Sequence, residues 1–221
     1  MVSISGSRRK PPRGLAVVAL VVALNVAVLA ILVVMSVTNE TPPAFTPTPL
    51  APRPANGLLV GPELVTVDAT VPDRWRFFSF DQGTIVAHPG PTGWDVAFRR
   101  FEVIVNGGEG FAGKGGVLDM GEVDFASVKT VPDAGYVANS VGSDTINGVV
   151  RKWYDYSFLS HVLSPKPRVY AVRTAAGRFA KLQFVGYYCP DAVPGCVTFR
   201  YVYQGDHGVD LVARSAAAPA P

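Results

Sequence analysis

Two hydrophobic patterns divide this 221-residue chain. From Leu15 to Val37 apolar residues follow one another with only Asn25 and Ser36 as polar members, whereas beyond about residue 57 apolar and polar positions alternate between clusters of turn formers. A run of about 20 apolar residues is long enough to cross a bilayer as a helix, so residues 14–37 are expected to form a transmembrane helix. A secretory signal has a shorter apolar core, of ~7–15 residues, with a small-residue cleavage site after it. Ala27-Val28-Leu29-Ala30 imitates such a site but lies inside the run. The expectation is an uncleaved, single-pass anchor in the cell membrane. Arg8, Arg9, Lys10 and Arg13 assign residues 1–13 to the cytoplasm and everything after Val37 to the periplasmic or extracellular side. Residues 38–56, with Pro42, Pro43, Pro47, Pro49, Pro52 and Pro54, read as an extended spacer without a packed core. Residues 213–221, ending in Ala216-Ala217-Ala218-Pro219-Ala220-Pro221, read as a disordered tail.

Residues 57–212 carry the period-two pattern of strands. Leu64–Val67, Trp75–Phe80 and Thr84–Ala87 come first, the last ending at His88-Pro89-Gly90-Pro91. Trp94 then opens what reads as one long strand to Val105, closed by the turn dipeptide Asn106-Gly107. Val149–Tyr156, Tyr170–Ala175 and Gly177–Tyr188 read as three successive antiparallel strands, separated by Ser164-Pro165-Lys166-Pro167 and Ala176-Gly177. In the first of these Trp153 lies on one face and Tyr154 and Tyr156 on the other. No amphipathic helix follows the apolar run and no repeat recurs at a fixed period, so the fold class is all-β: a single antiparallel β domain behind one N-terminal transmembrane helix.

Charge and chemistry narrow the function. The formal net charge is +3, yet Arg8, Arg9, Lys10, Arg13 and Arg53 outweigh Glu40 by four within the first 55 residues, leaving the rest at −1. A near-neutral domain has no electrostatic footprint for nucleic acid. Gly108–Gly113 fits the spacing GxGxxG and Gly108–Lys114 fits GxxxxGK, but Gly115 lacks the hydroxyl that would hold magnesium. The glycines that follow cannot start the helix whose N-terminus would bind phosphate. The segment is expected instead to be a flexible loop bordering a ligand pocket. Cys189 and Cys196 sit in a loop between two strands of a domain placed in an oxidising compartment, and a disulfide between them is expected. Zinc would need two further ligands, and His88, His161 and His207 are scattered. There is no GxSxG, no HExxH and no evident carboxylate pair, so no enzymatic turnover is expected. Asp119, Glu122 and Asp124 read as the solvent face of a strand.

Three blocks, WDVAFRRFEVIVNGG from Trp94, KWYDYSFLSHVLSPKPRVYAVRTAAGRFAKLQFVGYYC from Lys152 and TFRYVYQG from Thr198, occur in an order and spacing that resembles the HmuY family of bacterial haem-binding proteins. The resemblance spans roughly Val65 to Leu211. It implies an all-β, extracytoplasmic domain that holds one haem between two axial side chains carried on loops, for iron acquisition, with a haem receptor or transporter or a host haemoprotein as exchange partner. Haem iron takes up to two protein ligands, commonly His or Met. On this resemblance His161, in the best-matched block and on a loop, is the first candidate for axial ligand, its other reading being a hydrogen bond to strand backbone. Met120, just after the glycine-rich segment where members place their first ligand, is the second, its other reading being core filler. His88 and His207 stand in reserve, their other reading being plain surface histidines, and Tyr154, Tyr156 and Tyr170 are candidates for the pocket lining, the other reading of each being a core or surface residue. No cysteine lies near the apolar run, so the lipid attachment of secreted members has no residue to use here, which favours a tethered protein. The alternative is a structural or protein-interaction β domain that has kept the scaffold and lost haem.

Overall fold

A computed structural model describes residues 13–37, 41–53 and 59–212. The expectations for the basic N-terminus and for the tail at 213–221 lie outside the described residues. The chain divides into an N-terminal helical unit and a β unit that begins at Pro42. The helix, α1, is Arg13–Val37, and its Gly14–Val34 stretch is long and apolar enough to cross a membrane. Asn25 donates its amide to the Val21 carbonyl at 2.8 Å, so its polar group is satisfied one turn back within the helix.

The β unit comprises β1 (Leu59–Asp68), β2 (Arg76–Ser79), β3 (Thr84–Val86), β4 (Val96–Arg99), β5 (Glu102–Val105), β6 (Gly116–Asp119), β7 (Ser140–Val141), β8 (Thr145–Ile146), β9 (Tyr154–Tyr156), β10 (Leu163–Pro165), β11 (Tyr170–Arg173), β12 (Phe179–Tyr188) and β13 (Pro194–Gln204). A five-stranded sheet, ordered β1-β13-β12-β11-β6, and a four-stranded sheet, ordered β3-β2-β4-β5, share one apolar core. The hairpins β9–β10 and β7–β8 make two further small sheets, and all strand pairings are antiparallel. Alternation along the central strands fills that core: Ala180, Leu182 and Phe184 of β12 and Val197, Phe199, Tyr201 and Tyr203 of β13 meet Phe78, Phe80, Val96 and Phe98 from the smaller sheet. The other face of the large sheet is covered too. Phe125, Val128, Val131 and Leu211, from the segments around it, pack on Phe179 and Val202. Lys181 is buried on this face and bonds the carbonyls of Phe125 and Val128, each at 2.6 Å, with its ammonium over the Phe125 ring. Burial lowers the pKa of that amine.

Asp95 joins the smaller sheet to the β11–β12 turn. Its buried carboxylate accepts the Phe80 N–H at 2.8 Å and the Ala175 N–H at 3.0 Å. Burial raises its pKa to about 6, although both N–H bonds pull the other way.

Several regions differ from the expectations. The long strand from Trp94 to Val105 is two strands, β4 and β5, folded back at Arg100-Phe101 with Arg99 opposite Glu102. The turn has neither Gly nor Pro. Arg100 instead takes a left-handed backbone, φ 55°, secured by its N–H to the Ala69 carbonyl and by its guanidinium to the Thr70 and Pro194 carbonyls. Of Val149–Tyr156 only the last three residues are strand. The glycine-rich segment is not a flexible rim but wraps the buried Asn106. That residue's side-chain oxygen accepts the Gly113 N–H and its carbonyl the Gly115 N–H, while its amide donates to Pro91 and Trp94. A Cβ at Gly107 or Gly113 would lie 2.1 or 2.4 Å from a backbone oxygen, so the glycines serve close packing. Asp119 ends β6, whereas Glu122 and Asp124 belong to the covering segment.

The described part of the proline-rich stretch is no free spacer. Residues 41–53 form a strap on the β unit: Phe45 N–H bonds the Tyr188 carbonyl at 2.7 Å, Thr48 exchanges bonds with Thr66 of β1, and Arg53 N–H reaches Gln82. The Arg53 guanidinium pairs with Glu63 and bonds the Tyr201 hydroxyl at 2.5 Å. Prolines donate nothing, so attachment falls to the residues between them. Phe45 sits over Gly186, where a Cβ would lie 2.2 Å from its ring.

Two predictions follow from this packing. Because Asp95 binds its proton more tightly when folded, its contribution to stability is full below about pH 3.8 and is lost as pH rises past about 6. Against an Asp95→Asn variant, which cannot titrate, the wild type should lose about 2 kcal/mol between pH 4 and 7 in urea unfolding, most of the ~2 pKa units at 1.36 kcal/mol each; a constant difference would refute the assignment. Gly186→Ala should dislodge Phe45 while leaving the sheets intact. Amide exchange at Phe45 and Thr48 should accelerate at least about tenfold, ~1.4 kcal/mol, without a matching change in the β12–β13 ladder.

Candidate functional site

The hairpin β9–β10 stands beside the end of β12. Its register pairs Leu163 with Tyr156 and Pro165 with Tyr154. Its tip is closed by the Ser157 N–H on the Val162 carbonyl at 2.9 Å, with His161 in the left-handed region at φ 56°. The Tyr156 hydroxyl and His161 Nδ1 are 2.7 Å apart, which leaves Nε2 of the ring without a partner among the described residues. Phe158 and Leu159, at the tip, are 84 % and 76 % exposed.

Trp153 sets the hairpin's position. It is fully buried, stacks on Phe184 at 4.3 Å between centroids, and donates its indole N–H to the Phe101 carbonyl at 2.9 Å. Tyr154 and Tyr187 meet it edge-on. Between hairpin and sheet lies a cavity of about 450 Å³. The hairpin lines it with Tyr154, Tyr156, His161 and Leu163, β12 with Tyr187 and Tyr188, and the β4–β5 turn with Arg100 and Phe101; Pro194 completes the wall. Consecutive strand residues normally face opposite ways. Tyr187 and Tyr188 both face the cavity because β12 is irregular between Phe184, Gly186 and Tyr188. Tyr188 accepts the Leu163 N–H on its hydroxyl at 2.8 Å and so ties sheet to hairpin. Just beyond it, Cys189 is bonded to Cys196, which closes the β12–β13 loop beside this wall.

The cavity is aromatic with one imidazole and one guanidinium. Burial raises the pKa of the Tyr187 phenol, while the Arg100 charge opposes it. Burial also raises that of Tyr154. Such a site can take a large, flat, apolar ligand carrying acidic groups or a metal, for which imidazole nitrogen and phenol oxygen are the available donors. Among the described residues no cluster of three or more His, Cys, Asp and Glu is placed to hold a bare metal ion.

The structure brings His161, Tyr154 and Tyr156 together but not the rest of the expected set. Met120 does not line this cavity. Its N–H is held by the Val169 carbonyl past the end of β6, and its side chain packs against the apolar cluster that contains Phe125 and Leu211, on the far face of the large sheet. Tyr170 is buried in the main core, and His88 and His207 are exposed away from the cavity. Arg100, Phe101, Tyr187 and Tyr188 escaped the sequence reading. The paired tyrosines before Cys189 were the one signal available for them.

Solved structures of similar fold include the apo HmuY analogue TFO of Tannerella forsythia (TM-score 0.53, 18 % identity, covering 64 % of this chain and 95 % of that one). An HmuY-like heme binding protein from Bacteroides vulgatus gives TM-score 0.53 at 21 % identity, covering 71 % and 98 %. Apo PinO, assigned to Porphyromonas gingivitis, gives 0.54 at 17 %, covering 67 % and 98 %. At these identities the likeness establishes the fold. A search of curated proteins finds no match. The family model for HmuY protein matches residues 72–201, more than half of the 221 residues, and the chain belongs to the HmuY family.

Proposed function

We propose that this protein binds haem, without enzymatic turnover, in the cavity between the β9–β10 hairpin and β12, and holds it outside the membrane on an N-terminal anchor. The observation that carries the reading is the placement of His161 on an exposed hairpin over an aromatic cavity of about 450 Å³, within the ~300–1,000 Å³ usual for cofactor-sized ligands. Haem belongs to the reading through family membership, and the residues present suit it: aromatic rings for the macrocycle, Arg100 for an acidic group, and a ring nitrogen for iron. His161 Nε2 would bind the iron while Tyr156 orients the ring through Nδ1. Bound haem would supply a metal centre whose properties follow from its axial ligands. Met120, packed on the far face, has no part in this proposal.

Hemin titrated into the full chain in detergent should give a shifted, saturable Soret band. His161→Ala should weaken binding at least about tenfold, ~1.4 kcal/mol, and change the visible bands. An unchanged affinity and spectrum would remove His161 from the site. The second reading, a protein-interaction domain without haem, draws on the exposed Phe158 and Leu159, and the absence of any Soret shift in the wild type would favour it. The anchor reading rests on the Gly14–Val34 stretch, whose described residues are all exposed. Protein from cell envelopes should resist a high-salt wash and keep its N-terminal sequence; a soluble form starting after about residue 36 would overturn the anchor.

A further inference from the structure

Four tyrosines line the cavity, and their hydroxyls are not equivalent. That of Tyr156 is engaged by His161, and that of Tyr188 by the Leu163 N–H. Tyr154 lies where this cavity meets a smaller neighbour of about 170 Å³, and it is half-exposed. Tyr187 is 4 % exposed, and its hydroxyl has no hydrogen-bond partner among the described residues. A phenol hydroxyl that opens onto a cavity without a protein partner is free to bond a group brought in from outside. Arg100 lines the same cavity. Its guanidinium is fixed by two neutral carbonyls, those of Thr70 and Pro194, and it forms no ion pair among the described residues, so its charge stays uncompensated beside the phenol. In the cavity lining, tyrosines are the other side chains able to bond iron besides His161.

We propose that Tyr187 is the second iron-binding residue of this site, bonding ferric haem as a phenolate from the β12 wall while His161 approaches from the hairpin. This rests on the haem reading above. On binding, the Tyr187 O–H bond breaks, an oxygen–iron bond forms, and the proton leaves to solvent; iron stays ferric and no electron is transferred. An anionic oxygen donor stabilises the ferric over the ferrous state; burial holds the free phenol protonated, the Arg100 charge works against it, and the bond to ferric iron would have to displace the proton. The site therefore selects ferric haem, and reduction weakens its hold.

Resonance Raman and visible spectra of the wild-type hemin complex should show a phenolate-to-iron charge-transfer band with its iron–oxygen modes. Tyr187→Phe, which keeps the ring packed on Trp153 and Tyr188, should abolish these features and lower hemin affinity about tenfold while leaving ferrous haem affinity unchanged. Tyr156→Phe should keep the phenolate signature. A wild-type complex without that signature, its loss in Tyr156→Phe rather than Tyr187→Phe, or an unchanged ferric-to-ferrous affinity ratio in Tyr187→Phe would each overturn the assignment. The wild-type spectrum reads the ligand directly, so a variant that fails to fold does not shelter the proposal. If the wild type binds hemin and responds to His161→Ala but not to Tyr187→Phe, the haem reading stands and this assignment fails; if the wild type binds no hemin, both fail.

Discussion

The candidate site hangs on the stacking of Trp153 against Phe184. A two-stranded hairpin of three-residue strands does not hold itself in place in water. Trp153, immediately before β9, converts it into part of the core. Its ring is buried among Phe184, Tyr154 and Tyr187, and its indole N–H takes the carbonyl of the β4–β5 turn. Truncating a buried aromatic of this kind typically costs about 3–5 kcal/mol. Here the loss would reach beyond packing, because three of the residues it touches, Phe101, Tyr154 and Tyr187, are cavity walls. One side chain thus sets the relative positions of hairpin, turn and sheet.

Stability is graded along the same direction. The large sheet is covered on both faces, by the smaller sheet and by the segment that Lys181 pins down. The Asp95 bonds fasten the β11–β12 turn to Phe80, just past the end of β2. The tip of the β9–β10 hairpin has no such cover: Phe158 and Leu159 face solvent, and few backbone bonds hold it. Regions with few buried contacts open at lower free energy than the whole fold does. The cavity therefore has one firm wall, from β12, and one that yields.

How far the sequence foretold this depends on the distance over which each feature is decided. Strand alternation is a local property, and β2, β3, β11, β12 and β13 follow from it. The disulfide was legible because turn formers surround two isolated cysteines, and the place of His161 between two strands because it lies in a loop of a strongly matched block. The β4–β5 turn was not legible. Arg99-Arg100-Phe101 has no turn former, and what bends it is a set of bonds to Ala69, Thr70 and Pro194, from both ends of the domain. The bulge that turns Tyr187 and Tyr188 to one side is decided by pairing with β13. Met120 misled for the reverse reason: its place in sequence suited a ligand, but a face of the sheet that alternation could not distinguish from solvent already held an apolar cover.

Tyr188 occupies an unusual mechanical position. Its carbonyl receives the strap at Phe45, and its hydroxyl receives the hairpin at Leu163. Tension applied along the residues N-terminal to the strap would therefore be delivered first to a residue of the cavity wall, while the bonds of Thr48 and Arg53 farther along share the remaining load. In this arrangement the first backbone bond of the strap and the wall of the candidate cavity meet at one residue.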